Sequence, residues 1–389
     1  MKTRTLYIFL IAMSFFQFLF AQDILKTEKK LDSLFQKTAG KQMIQNALFR
    51  VDSKALDFQK SWAYGQFKNG KKVETNSPFH TASLGKTFTA VIIAQLVEEG
   101  KLDYDLPMFQ FLPDSITNGL HVWEGKDWTQ EITIGHLLQH RSGLSDYFED
   151  QPKTGNNMLE VAFEKPDKFW TPQEMLDFYK AGFQARFAPG TDYHYTDTEY
   201  LLLGLIIEAL ERKPLHEVFQ ERIFWPLGMI HTSMHLRSQP LEESATHMTE
   251  VYFGKAEVSS MKSLSSDWAG GGLRSTTEDI SIFMKALFEG ELVDTKSLEG
   301  MQNWTPASKG TYYGYGLMQW RIRELFPLLP NLTLIGHHGF TGAFMYYCPE
   351  LDTYLSGTFN QSEFQKGSVE FLIKVLMELK KTKTDSQTP

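Results

Sequence analysis

Phe79-His80-Thr81-Ala82-Ser83-Leu84-Gly85-Lys86-Thr87-Phe88-Thr89-Ala90 runs straight into Val91-Ile92-Ile93-Ala94-Gln95-Leu96-Val97, an apolar helical run suited to burial. If the helix begins near Ser83, residues 83 and 86 share one face a single turn apart, so the Lys86 amine can approach the Ser83 hydroxyl. A nucleophile then stands beside a base. The first turn of a helix also carries unpaired N–H groups and the positive dipole end, which favour a developing alkoxide. The same field and the burial disfavour a bare ammonium, leaving the free amine that a base must be.

Ser-x-x-Lys is a weak pattern alone, and the chain holds a second copy at Ser259 and Lys262. That copy lies in Val258-Ser259-Ser260-Met261-Lys262-Ser263, a serine-rich stretch with no apolar helix behind it, and reads as solvated loop. For Ser83 the bland alternative is a helix cap with a snorkelling lysine. The rest of the 389-residue chain has to separate the two.

With 42% hydrophobic and 14% aromatic residues the chain can bury a large core, enough for two lobes around a cleft. Lys2 and Arg4 precede an apolar run from Leu6 to Phe20, followed by Ala21-Gln22-Asp23. The run is short and ends at a small residue, which predicts a secretory signal peptide over residues 1–21 and no membrane anchor once it is cleaved; an uncleaved N-terminal anchor is the competing reading. Its removal takes away two positive charges and no negative one, so the formal net charge goes from −8 to −10. Such an acidic export product, periplasmic or secreted, is a poor nucleic-acid binder. The single cysteine, Cys348, has no internal disulfide partner and reads as a small core residue. Composition leaves the oligomeric state open.

Helical spacing over 24–38 predicts an amphipathic first helix. Short β-branched and aromatic runs at 43–51 and 58–66 predict antiparallel strands, and Asn69-Gly70 a further turn. From 106 to 269 the pattern is helical with long loops, with helices expected at 133–140, 173–181, 196–212 and 216–224. Ser275 with Glu278 reads as a capping box for the next helix. Strand patterns return at 311–323, 332–338, 342–348 and 353–359, and a last helix covers 364–381. The fold class is therefore α/β, an antiparallel sheet flanked by helices and built from both chain ends, with an inserted helical lobe. The segments are 22–105 and 270–389 for the α/β part and 106–269 for the lobe.

Two further stretches carry chemistry. Tyr193-His194-Tyr195-Thr196-Asp197 leads into the apolar helix from Leu201 to Ile207, where a tyrosine near Lys86 would relay protons; otherwise Tyr195 is a core residue and Asp197 a cap. Gly336-His337-His338-Gly339-Phe340-Thr341-Gly342 joins two strands; Gly339 would let a substrate approach, and the N–H groups after it would receive an oxyanion. The alternative is a glycine-rich hairpin corner.

Taken together, Ser83-x-x-Lys86, Tyr195-x-Asp197 and His337-x-Gly339 resemble the three-motif set of the serine β-lactamase and penicillin-binding-protein superfamily. The resemblance is closest to the class C β-lactamase-like branch, with its esterases, D-amino-acid peptidases and carboxypeptidases. Thr133-Ile134-Gly135-His136-Leu137-Leu138-Gln139-His140-Arg141-Ser142-Gly143-Leu144 resembles its helix-and-turn and Gly270-Gly271-Gly272-Leu273-Arg274-Ser275-Thr276 its glycine turn, and the likeness spans roughly residues 30 to 375. It implies Ser83 as the acylated nucleophile, Lys86 as its partner and Tyr195 as the proton relay. The backbone N–H groups of Ser83 and Phe340 would form the oxyanion hole, with Asp197, His337 and Gly339 facing substrate. Two positions depart from the β-lactamase pattern: Asp197 replaces asparagine and His337 replaces lysine, so less positive charge meets a substrate carboxylate.

A zinc enzyme is the rival built on His136 and His140, i and i+4 on an expected helix, but no glutamate lies between them to act as base. A non-catalytic wall-binding or sensor protein of the same fold is the other rival, though a pure binder needs none of serine, lysine and tyrosine. The sequence thus points to a serine hydrolase working through an acyl-enzyme on an ester or amide, without metal or cofactor. A true β-lactamase and a D-alanyl-D-alanine carboxypeptidase are the alternatives within the resemblance, and the substrate is a small molecule or peptide.

Overall fold

The computed structural model describes residues 22–387. The expected signal peptide, residues 1–21, lies outside them. Among the described residues no helix is long and apolar enough to cross a membrane.

Helix α1 covers residues 22–39. Strands β1 (Asn46–Ser53) and β2 (Phe58–Gly65) pair antiparallel in unbroken register from Asn46↔Gly65 to Ser53↔Phe58. Asp52 and Ser53, expected in the connection, are therefore the last two residues of β1. Next comes α2 (Gly85–Glu98), then, beyond a long loop-rich stretch, α3 (Asp197–Glu211) and α4 (Thr277–Phe288). Six strands follow: β3 (Thr305–Ser308), β4 (Thr311–Tyr313), β5 (Met318–Arg321), β6 (Thr333–His338), β7 (Ala343–Cys348) and β8 (Thr353–Thr358). Helix α5 (Gln365–Gln387) ends the described chain.

All eight strands form one antiparallel sheet in the order β3-β4-β5-β6-β7-β8-β1-β2, so the last strand of the C-terminal meander pairs with the first strand of the chain. On one face Phe35 of α1 and Phe371 of α5 close over Phe49 and Trp62, with ring centroids 4.8 to 6.4 Å apart. Such aromatic pairs add to the burial of their large apolar surfaces. On the other face α4 packs on β1 and β8, where the Ser356 hydroxyl donates to Thr277 O at 2.8 Å. Beyond it lies α2, whose residues are buried nearly all round, as expected of a helix apolar on every side. Helix α3 packs beside α2 and is buried over most of its length. The nucleophile turn thus hangs from a rigid apolar rod at the edge of a large sheet.

The local differences from expectation have simple causes. The 311–323 pattern is two strands and a helical turn (Ile322–Leu325), because Gly314 and Gly316 break the run. The cap before α4 is Thr276, which accepts from the Asp279 N–H at 3.1 Å, while Ser275 belongs to a short strand (Leu273–Ser275) and pairs with the Thr232 hydroxyl at 2.7 Å. Cys348 is a buried free thiol.

Candidate active site

Ser83 sits in one turn of 3-10 helix, Ala82–Leu84, from which α2 continues at Gly85. The preceding Thr81 is fastened to the strand Leu273–Ser275: its N–H donates to Leu273 O at 2.9 Å, and its hydroxyl lies 3.0 Å from Gly271 O. Ala82 has φ of +47°, the left-handed region that a side chain resists, at a cost on the order of 1 kcal/mol that the surrounding bonds must offset. The turn can be this tight only because Gly271 lies against it. A Cβ at Gly271 would come within 2.5 Å of the Ala82 carbonyl carbon and 3.0 Å of Ser83 N.

Lys86, fully buried, brings its Nζ to 3.4 Å from Ser83 Oγ and 3.0 Å from Gly270 O, and makes a short ion pair with Asp197. Asp197 stands at the first position of α3 beside Lys86, so three oxygens surround the amine. The Lys86 amine also lies over the Tyr195 and Tyr200 rings, 5.0 and 5.4 Å from their centroids. Burial, then the Asp197 carboxylate, push the Tyr195 phenol well above its ordinary value, against a hydrogen-bonding contact with Ser83 that works the other way. Tyr195 is therefore a neutral hydroxyl at rest, able to donate a proton but not to take one.

Ser83, Tyr195 and Asp197 line one cavity of about 120 Å³. Its far wall is apolar, formed by Phe148, Leu159, Val251, Phe253, Leu264 and Phe340. Glu149 and Asp267 line it as well, and no lysine or arginine does among the described residues. Behind it Asp146 accepts the Asp197 N–H at 2.9 Å. Burial and the nearby Asp197 carboxylate raise Asp146 to about 8 and Asp267 to about 7, since carboxylates this close cannot all be charged. Sequence reasoning missed Asp146, Glu149 and Asp267. Their only signals were position, Asp146 and Glu149 just after the Arg141-Ser142-Gly143-Leu144 turn and Asp267 just before Trp268-Ala269-Gly270.

The third motif is only partly where it was expected. Phe340 lines the cavity, whereas His337 and Gly339 do not. Gly339 is a packing position: a Cβ there would stand 2.9 Å from Thr81 O and 3.0 Å from the Ala82 Cβ, so its bareness lets the β6–β7 hairpin lean on the nucleophile turn. Ser83 and Phe340, whose backbone N–H groups are the expected oxyanion donors, line the same cavity. His337 is wholly buried behind Lys86, with Nε2 2.9 Å from the Tyr313 hydroxyl. Burial, then Lys86, lower it to about 3, so it is neutral at every ordinary pH. His337→Lys is accordingly expected to place a second cation beside Lys86 in a dry site, costing about 3 kcal/mol or more of stability. A thermal melt reads this directly, and an unchanged transition would contradict the placement.

The pair behind the zinc reading does not share a helix face. The helix ends at Leu138; His136 closes its capping box with Thr133, and His140, at φ of +59°, lies past the end with Nδ1 on Glu199. Among the described residues no group of three or more His, Cys, Asp or Glu is arranged to hold a metal. The second Ser-x-x-Lys copy has no buried helix behind it: Ser259 lies in a turn and bonds to Glu257 two residues back, and Lys262 is the exposed first residue of a 3-10 turn (Lys262–Ser266).

A family model described as Beta-lactamase matches residues 32–372. The chain belongs to the β-lactamase family. Among its relatives in that family, penicillin-binding protein 4* of Bacillus subtilis (strain 168) is 26% identical over 302 residues, 74% of this chain, and the chain spans only 62% of that protein's length. A putative D-alanyl-D-alanine carboxypeptidase of Escherichia coli (strain K12) is 25% identical over 76% of this chain and 73% of its own. Among solved structures, D-amino acid amidase from Ochrobactrum anthropi SV3 superposes with a TM-score of 0.75 at 25% identity, covering 92% of this chain and 99% of that one. EstCE1, a hydrolase with promiscuous acyltransferase activity, matches with a TM-score of 0.73 at 17% identity, covering 92% and 98%, a likeness of fold. Family and neighbours together place this β-lactamase-family chain among the serine hydrolases, on the α/β fold expected.

Proposed function

We propose that the chain is an exported serine hydrolase that cleaves an ester or amide through an acyl-enzyme on Ser83. The observation that carries this reading is the Lys86 amine, 3.4 Å from Ser83 Oγ and anchored on its other sides by Asp197 and Gly270 O, at a cavity lined by Ser83 and Tyr195. Ser83 Oγ attacks the substrate carbonyl and gives its proton to Lys86 as one proton moves from Lys86 to Asp197 along their short contact. Asp197 is then a proton store, a role the asparagine of the β-lactamase pattern does not fill. The Ser83 and Phe340 N–H groups hold the oxyanion, a type of interaction worth roughly 3 kcal/mol per donor in the transition state. Tyr195 donates its hydroxyl proton to the leaving group and is reprotonated from Lys86. Water enters, gives up a proton along the same path, and releases the acid. Export rests on the charged and apolar N-terminal run, and the wall-related names of the curated relatives support it.

The substrate end of the site favours donors without a carboxylate. Glu149, Asp197 and Asp267 line the cavity with no cation among them, and Lys86 is engaged behind. At an effective dielectric of about 20, one unit charge at roughly 4 Å is worth up to about 4 kcal/mol. Even about 1.4 kcal/mol surviving screening is tenfold in rate. A neutral p-nitrophenyl ester is therefore expected to show kcat/KM at least about tenfold above that of a chromogenic cephalosporin at neutral pH. The reverse order would restore β-lactamase as the leading activity.

A further inference from the structure

Glu199 is a fully buried carboxyl for which the reaction above has no use. It stands at the third position of α3, two residues past Asp197, and both of its oxygens are engaged: Oε1 accepts the Ser142 N–H at 2.9 Å, and Oε2 lies against Nδ1 of His140, which is also fully buried. A buried carboxyl against a buried imidazole is either an ion pair or a neutral hydrogen bond. The Thr196 N–H donates to the same Nδ1 from 3.3 Å, so that nitrogen is an acceptor and the shared proton sits on Glu199. Burial acts the same way on both partners, raising Glu199 well above the carboxylate range and, with Lys86 nearby, lowering His140 well below the ordinary imidazole value.

His140 in turn is fitted to Tyr195. Its carbonyl accepts the His194 N–H at 2.9 Å and its Nδ1 takes the Thr196 N–H, so the residues on either side of Tyr195 are both tied to it. Its ring also packs on the Tyr195 ring, with centroids 4.3 Å apart. The His140 backbone, at φ of +59°, is in a state that a side chain resists and that its surroundings must hold. Glu199 supplies that hold, gripping the His140 ring with one oxygen and the Ser142 N–H just beyond the bend with the other.

Resting on the serine-hydrolase reading above, we infer that Glu199 and His140 are positioning residues for Tyr195, holding its hydroxyl where it hands a proton to the leaving group. Neither lines the cavity, so their effect on the reaction passes through Tyr195, which does. A positioned acid matters in proportion to the leaving group's need for a proton: p-nitrophenolate departs as a stable anion, whereas ethoxide has to be protonated as it leaves. Loss of position therefore slows acylation by an ethyl ester and spares acylation by the p-nitrophenyl ester of the same acid. A purely structural role would lower both rates alike. Because the proton sits on Glu199, glutamine is a fitting replacement there: its amide donates to Nδ1 and its carbonyl accepts the Ser142 N–H.

The test measures kcat/KM for the ethyl and p-nitrophenyl esters of one neutral acid on wild type, Glu199→Met, His140→Phe and Glu199→Gln. The p-nitrophenyl-to-ethyl ratio is expected to rise at least about tenfold in Glu199→Met and in His140→Phe, and to stay within about threefold of wild type in Glu199→Gln. The ratio does not depend on how much of a variant folds. Glu199→Asp, which only shortens the reach to His140, extends the test should the larger changes abolish folding, and is expected to raise the ratio at least about threefold. Both rates falling together at an unchanged ratio would overturn the inference, and a rise in Glu199→Gln as large as in Glu199→Met would overturn the neutral pair. Wild type that turns over only the p-nitrophenyl ester has no positioned acid for the pair to serve and overturns it as well. In each of these cases p-nitrophenyl ester turnover by wild type leaves the hydrolase reading standing. If wild type turns over neither ester and takes no fluorophosphonate label, the hydrolase reading itself fails.

Discussion

Ser83→Ala lowers hydrolysis of any acyl donor by at least about 10⁴-fold and leaves the protein folded. The size follows from the role: removal of the nucleophile abolishes the covalent route, and what remains is the smaller contribution of oxyanion donors and binding. Folding is spared because the Ser83 hydroxyl faces a cavity and caps no helix; the turn is held instead by Thr81 on Leu273 and Gly271, and by the bareness of Gly271. Ser259→Ala is the matched control. Its hydroxyl bonds only to Glu257 in a loop, so turnover is expected to stay within about threefold. Initial rates and circular dichroism of the two variants decide the matter. Activity above a tenth of wild type in Ser83→Ala would remove the nucleophile from the account.

Lys86→Met is expected to lower kcat by about 10³-fold, within the range found for loss of a positioned general base. Unlike the serine change, it also destabilises. Lys86 is fully buried and is the partner of Asp197, which otherwise stands among Asp146, Glu149 and Asp267. Removing one member of a buried pair strands the other, at roughly 3 kcal/mol or more. The double change Lys86→Met with Asp197→Asn should therefore recover most of the lost stability and none of the lost activity. A denaturant melt beside a rate measurement separates these effects, and the two changes are expected to be strongly non-additive, the double variant losing far less stability than the sum of the two single ones. Recovery of activity in the double variant would show that Lys86 serves Asp197 and not Ser83.

How much of this was legible in the sequence depends on what kind of signal each residue leaves. Ser83 and Lys86 were readable because a fixed spacing at the head of an apolar run maps onto one helix face, and the structure bends this only by inserting a 3-10 turn before α2. The sheet's antiparallel strands were readable from β-branched and aromatic runs, though β3, with Pro306 inside it, was not read as a strand. His337 was misplaced for a physical reason. Alternation along a strand says which side a residue takes, but not whether that side is open, and Tyr313 from β4 covers it. The carboxylates were invisible for the opposite reason. Asp146, Glu149 and Asp267 come from two loops far apart in sequence, and only the fold turns them toward Asp197. Asp197 itself was seen as a departure from the family's asparagine, but its bond to Lys86 needed α3 to be laid against α2.

The central claim is that Ser83 becomes acylated, and intact-protein mass spectrometry tests it most directly. The protein is incubated with a fluorophosphonate probe and, separately, quenched during turnover of a neutral p-nitrophenyl ester. One adduct per chain is predicted in each case, located after digestion on the peptide that carries Ser83 and absent from Ser83→Ala. An adduct on the peptide carrying Ser259, or turnover that proceeds with no adduct and stops when a chelator is added, would contradict it.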